Sequence, residues 1–364
     1  MRIVVVGAGV MGLSAGRVLA ERGHEVTVLE RFTVGNPMAS SSGATRIWRI
    51  AHPDPSVVRL GRWNTDLWET LEAQCGRALR LHRGLLWRGG DADRVRHAMT
   101  AAGVKHDVVD EEAQRRLFPE LRWQPGRPVL WQPEAGVILA ADALTASADL
   151  LSRHGGELLT GRTVLSVEQS TDGVRVVTDG DTLTADAAVV TAGPWAGQLL
   201  AGLGLDVALR PVMEQITYIR GGDMPWEIRP CLIDVPDEGG SFGLYAMPTP
   251  GVGFKVGIDE PIGEFDARSA ERSPDLARER TTVERIKRDL PGLDATPLRS
   301  EVCAWTASPD HRFILDRVGD VVIGCGDSGE GFKYLPMFGQ VLADLAEGKS
   351  SHPDAGTFDL RRLR

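Results

Sequence analysis

The chain has 364 residues, 42% of them hydrophobic and 25% charged, which suits one large or two intimately joined domains with ample buried volume. A formal net charge of -9 argues against nucleic-acid or anionic-membrane partners, and no apolar run is long enough to span a bilayer. Four scattered cysteines (Cys75, Cys231, Cys303, Cys325) and dispersed histidines offer no disulfide framework and no metal centre, a pattern that fits a reducing cytoplasm.

An apolar strand over residues 2–6 opens the chain, and its early position leaves no room for a signal peptide. It runs into Gly7-Ala8-Gly9-Val10-Met11-Gly12 and an amphipathic helical stretch that reaches Arg22. A second strand over 24–29 ends at Glu30. Each part has a mechanical reason. Gly7 permits the tight turn, Gly9 lets a pyrophosphate approach the backbone, and Gly12 lets helix pack on strand. The helix N-terminus offers amide donors to phosphates, and a carboxylate at Glu30 suits the hydroxyls of an adenosine ribose. The pattern predicts a dinucleotide site; alone it does not separate NAD from FAD.

Further along, residues 56–75 show helical spacing, 84–87 read as a strand, and 91–102 and 140–153 as helices. Residues 163–168 and 173–178 alternate as antiparallel strands around an Asp-Gly turn. An apolar strand over 187–191 enters Ala192-Gly193-Pro194-Trp195. Strand-like segments dominate 210–257, a charged helix spans 275–290, an apolar strand covers 321–324, and a last helix is expected over 338–347. The dinucleotide domain is therefore expected to be discontinuous, over 1–80, 142–209 and 300–364. Residues 81–141 and 210–299 would form a β-rich substrate domain.

The opening motif, Ser41-Ser42-Gly43-Ala44-Thr45-Arg46, Thr191-Ala192-Gly193-Pro194-Trp195 and Gly326-Asp327-Ser328-Gly329-Glu330-Gly331-Phe332-Lys333 together resemble the D-amino-acid oxidase superfamily of flavoproteins. More narrowly they are similar to the monomeric sarcosine oxidase and N-methyltryptophan oxidase group and its piperideine-2-carboxylate oxidase relative. The resemblance covers nearly the whole chain, and Ser-Gly-x-Gly-Phe-Lys is its most specific part. It implies an α/β (α+β) two-domain fold: an FAD-binding Rossmann-like domain of the glutathione-reductase type under an antiparallel sheet that roofs the flavin. It also implies oxidation of an amino acid with a secondary amine. Hydride passes from the carbon beside nitrogen to the flavin, an imine forms, and oxygen returns as hydrogen peroxide. The partners would be the amino acid and oxygen, and the protein a monomer.

Residue roles follow from the same resemblance. Cys303, in Ser300-Glu301-Val302-Cys303-Ala304-Trp305-Thr306, matches the cysteine that carries a covalent flavin, whereas its plain reading is a buried strand thiol. Lys333 and Arg49 match the residues that clamp the substrate carboxylate, for which an arginine fork and a lysine point charge are suited. Arg46 matches the arginine over the flavin. Lys255, mid-strand between apolar neighbours, matches the lysine that activates oxygen, since a fixed cation stabilises developing superoxide. Tyr245 matches a pocket tyrosine. Arg31, Ser42, Thr45, Val164, Gly193, Trp195, Gly329, Gly331 and Phe332 complete the implied cofactor contacts. Two positions depart from the sarcosine oxidases: Asp259 stands where they carry a histidine four residues after the oxygen-activating lysine, and Ser42 replaces a loop histidine. Asp259 is a candidate partner for the substrate nitrogen. Two other readings stand beside this one, an NAD-dependent dehydrogenase and a flavin-containing subunit without its own turnover.

Overall fold

A computed structural model describes residues 1–223, 225–236, 242–267, 269 and 272–363. Positions 224 and 237–241 of the expected strand-rich stretch lie outside the described residues. Strand Arg2–Val6 is central in a six-stranded sheet, and its four apolar side chains are buried because helices cover one face and a small sheet the other. Burial of each such side chain contributes about 1.5–3 kcal/mol. The sheet order is Ile314–Val318, Val321–Cys325, Ala187–Val190, Arg2–Val6, Glu25–Glu30 and Glu157–Thr160. All neighbours are parallel except the edge strand Ile314–Val318.

Helices Val10–Glu21, Ala140–Arg153 and Leu335–Ala346 share one apolar cluster on the first face. The first helix differs from the amphipathic expectation. Residues Val10 to Ala20 are all buried, Arg17 included, because two other helices pack on it. An antiparallel meander, Val164–Ser170, Gly173–Thr178 and Thr182–Ala185, closes the second face. The last helix starts at Leu335 instead of 338. Pro336 fits its first turn, where a missing N–H costs nothing, and the 3-10 turn Gly331–Tyr334 feeds it.

A second, mixed sheet of nine strands among the described residues stands over this layer. Its long strands Arg210–Gly221 and Asp294–Ala307 pair antiparallel, and Gly253–Ile258 and Leu244–Thr249 follow beside Arg210–Gly221. Cys231–Val235 joins Leu85–Gly89 in parallel, which sets Asp234 opposite Arg88. That carboxylate takes Arg88 Nη2 at 2.7 Å and Arg127 Nη1 at 2.8 Å, with Arg88 fully buried. Helix Leu276–Asp289 begins where Asp275 accepts from the Ala277 amide at 2.7 Å. A third sheet, Thr45–Trp48, Gly136–Leu139 and Arg80–His82, bridges the two layers. No helix among the described residues is long and apolar enough to cross a membrane.

Candidate active site

A cavity of about 970 Å³ draws its walls from both large sheets. One end is the glycine turn. Gly7 has a φ of +99°, where a side chain would be strained, and a Cβ there would stand 2.6 Å from the Thr191 carbonyl oxygen. At Gly12 a Cβ would lie 1.8 Å from the Gly7 carbonyl oxygen, so the helix reaches the turn only without a side chain. Both Glu30 oxygens accept backbone amides, from Ala8 and Phe32, each at 2.9 Å. Their remaining lone pairs suit ribose hydroxyls. Ser41 Oγ accepts from the Val10 amide at 2.9 Å, and the buried Ser40 Oγ beside it has no partner among the described residues. Arg31, Val164, Gly193 and Trp195 line the same end; Trp195 packs against Phe32 at 6.0 Å and Phe265 at 5.3 Å between ring centroids. An open glycine cradle, an orphaned Ser40 hydroxyl near Gly193 and a ribose-ready acid fit an adenine dinucleotide.

The other end is charged. Strand Thr45–Trp48 delivers Arg46, whose guanidinium donates to the carbonyls of Thr45 (2.9 Å), Ser40 (2.9 Å) and Ser42 (2.6 Å) and lies 5.5 Å from the Phe332 ring centroid. Lys255, buried on strand Gly253–Ile258, donates to the Thr45 carbonyl at 3.0 Å. Burial first, and then the Arg46 charge, lower its pKa to about 7. Cys303 lies opposite Glu214 in the strand pair, so both side chains face the cavity. Burial and then Glu214 raise the Cys303 thiol, against Arg46 and Lys255. Cys325 also lines the wall, and burial pushes it to about 12.

Lys333 sits in the 3-10 turn Gly331–Tyr334, buried, with its carbonyl held by Asn64 at 2.7 Å and Trp68 at 2.8 Å. Desolvation lowers its pKa to about 7, although Glu330 opposes this. Arg49 is buried beside Trp87, its Cζ 5.1 Å from the ring centroid, and donates to Glu330 and to the Ala51 carbonyl. The turn is strained just upstream, where Ser328 has a φ of +48°. Tyr245 crosses the roof towards Glu214, to which it donates at 2.6 Å. Its ring lies across Gly257, where a Cβ would meet it at 2.2 Å. Asp259 opens to the cavity from the turn after Gly253–Ile258. The enclosing wall and nearby Glu330 raise its pKa, against Arg49 and His311.

The structure thus brings Gly7, Gly9, Glu30, Arg31, Arg46, Arg49, Val164, Gly193, Trp195, Tyr245, Lys255, Asp259, Cys303, Gly329, Gly331, Phe332 and Lys333 to one cavity. Gly12, Ser42 and Thr45 stand behind its wall: Gly12 under the turn, Ser42 and Thr45 through carbonyls that fix Arg46 and, for Thr45, Lys255. Among the wall residues that sequence reasoning does not single out, three are charged or titratable neighbours of the cations: Glu214, Glu330 and His52. Glu214 is a mid-strand acid between Met213 and Gln215, so it lacks the apolar flanks on both sides that marked Lys255. Glu330 is the variable residue of the Ser-Gly-x-Gly-Phe-Lys motif, and His52 follows Arg49 by three.

A dinucleotide cradle joined to a buried cluster of cations and a pocket tyrosine defines a nucleotide-dependent oxidoreductase. The chain belongs to the DAO family of FAD dependent oxidoreductases, which matches residues 2–345, and the choice between NAD and FAD falls to FAD. It is similar to the monomeric sarcosine oxidase of Streptomyces avermitilis, 30% identical over 99% of this chain and 97% of that protein. The human peroxisomal sarcosine oxidase is 29% identical over 99% of this chain and 95% of its own. Among solved structures, NikD, an unusual amino acid oxidase essential for nikkomycin biosynthesis, superposes with a TM-score of 0.87. It is 28% identical and covers 98% of this chain and 96% of its own.

Proposed function

We propose that the protein is an FAD-dependent oxidase of an amino acid with a secondary amine, N-methyl or cyclic. The observation that carries this reading is the gathering of Arg46, Arg49, Lys255 and Lys333 around one cavity whose far end is the glycine cradle. Bound there, FAD would take the electron pair of the substrate's C–H bond beside nitrogen and pass it to oxygen, giving hydrogen peroxide. In this reading Arg49 and Lys333 hold the substrate carboxylate, and Tyr245 and Asp259 face its amine. Lys255, fixed on the Thr45 carbonyl, presents the charge that meets reduced oxygen. Arg46, tied to three carbonyls, holds a fixed positive charge beside Phe332.

Glu30, Arg31, Val164, Gly193 and Trp195 would hold the nucleotide, and Cys303 would carry the cofactor covalently. Support for Cys303 is its position on the cavity wall with Arg46 and Lys255 opposing the upward shift of its thiol. We assign the nucleotide domain to 1–80, 142–209 and 300–364 and the substrate domain to 81–141 and 210–299. A monomeric protein of the cytoplasm fits the acidic surface and the likeness to monomeric sarcosine oxidases. Anaerobic titration of the purified yellow protein with N-methyl, cyclic and primary amino acids tests the reading. Bleaching of the flavin by a secondary amine is expected, and no bleaching by any amino acid would refute it.

A further inference from the structure

The anchor assigned to the substrate carboxylate already holds one. Glu330 accepts from Arg49 Nη2, and its other oxygen lies 3.4 Å from His52 Nε2 and 3.6 Å from Lys333 Nζ. Lys333 Nζ also donates to the Glu330 carbonyl at 3.0 Å, while the second arm of Arg49 is spent on the Ala51 carbonyl. Exposure ranks these groups. The side chains of Arg49 and Lys333 are 8% and 6% exposed, that of Glu330 35%. Glu330 is therefore the member of the cluster that an incoming ligand meets first, and Arg49 lies behind it.

We propose that Glu330 is a specificity-determining residue: its carboxylate is an internal ligand of the Arg49–Lys333 anchor, which a substrate carboxylate displaces only when it brings an ammonium group to receive the released Glu330. The charge balance favours this exchange. A ligand offering a carboxylate alone would set two anions against Arg49 and Lys333 in a buried site, with Asp259 close by as a third acid. A zwitterionic amino acid adds one cation with its anion, so the released carboxylate gains a partner as it loses Arg49. Glu330 remains ionised throughout the neutral range: burial works against the charge, but Lys333, Arg49 and His52 outweigh it.

The proposal rests on Arg49 and Lys333 being the carboxylate anchor, and its test needs binding alone. The flavoprotein and its Glu330→Gln and Glu330→Ala variants are titrated anaerobically by calorimetry with propionate, which lacks an amine, and with glycine, which has one. Removing the internal anion is expected to tighten propionate by about tenfold or more in both variants, while glycine changes by no more than about threefold. Adding Lys333→Met to Glu330→Gln is expected to remove most of the propionate gain. Unchanged or weaker propionate binding, or an equal gain for both ligands, would overturn the proposal. Persistence of the gain without Lys333 would overturn it too, since propionate would then sit elsewhere. Bleaching of the wild-type flavin by a secondary amine is a separate result, so the oxidase reading stands or falls independently.

Discussion

Lys255→Met isolates one charge in a buried site. Methionine keeps an unbranched side chain of similar length, so packing against the strand survives. The lysine is 4% exposed, and burial together with Arg46 brings its pKa to about 7. A pKa lowered in the folded state means that the charge is costly below pH 7. The cost is relieved as pH rises towards the unfolded value, so the methionine variant should unfold no more easily than wild type at pH 6. Function runs the other way. If the cation stabilises reduced oxygen, its loss slows reoxidation by about a hundred- to a thousandfold, or about 2.7–4 kcal/mol. In wild type the charged fraction falls to about a tenth at pH 8 and about a hundredth at pH 9 for a pKa near 7. Reoxidation should therefore decline with rising pH and approach the flat, slow profile of Lys255→Met. Stopped-flow mixing of the reduced enzyme with oxygen, beside anaerobic reduction by substrate, measures both steps. A wild-type rate that is flat or rising from pH 6 to pH 9 would refute the argument, as would equal slowing of both steps.

Three further outcomes follow from the same geometry. Cys303→Ala should release its flavin on acid precipitation whereas Cys325→Ala keeps it, read as yellow colour in supernatant or pellet; wild-type flavin wholly in the supernatant would exclude the covalent bond. Lys333→Met should weaken binding of amino-acid inhibitors, which carry both a carboxylate and an ammonium group, by about ten- to a hundredfold, the loss of one charge-assisted bond of about 1.5–3 kcal/mol, with the flavin spectrum unchanged. Asp234→Ala should cost about 3–5 kcal/mol in urea unfolding, because it strands the fully buried Arg88 and its neighbour Arg127. A loss under about 1 kcal/mol would mean that water or another acid satisfies them.

The sequence exposes elements whose signal is local. The opening strand, turn and helix carry their own punctuation, and the helix Pro55–Cys75 announces itself by Asp54, an early proline and Gly76 in the left-handed region. The first two strands of the meander, Val164–Ser170 and Gly173–Thr178, are legible from a loose alternation around the Asp-Gly turn, while the third, Thr182–Ala185, is not. Strands Thr45–Trp48 and Gly136–Leu139 are not: each is four residues long and defined by its partner. In the site, glycines and isolated mid-strand charges stand out, and Lys255 is found that way. The pairing of Glu330 with Arg49 is invisible to any window, since the partners are 281 residues apart. Ser42 and Thr45 show a subtler mismatch, for it is their carbonyls, which every residue owns, that hold the cations.

The nucleotide cradle has a demanding assembly order. The turn after the first strand is completed from below by Thr191, whose hydroxyl reaches the Val6 carbonyl at 2.9 Å across 185 residues. The strand that carries Thr191 into place is in turn flanked by Val321–Cys325, made far later. On a ribosome the first segment must therefore wait, its glycine turn lacking a floor, while both sheets are synthesised. Such long-range closure is entropically slow and leaves apolar edges uncovered in the interim. The glycine turn therefore acquires its floor only after the two distant strands have docked.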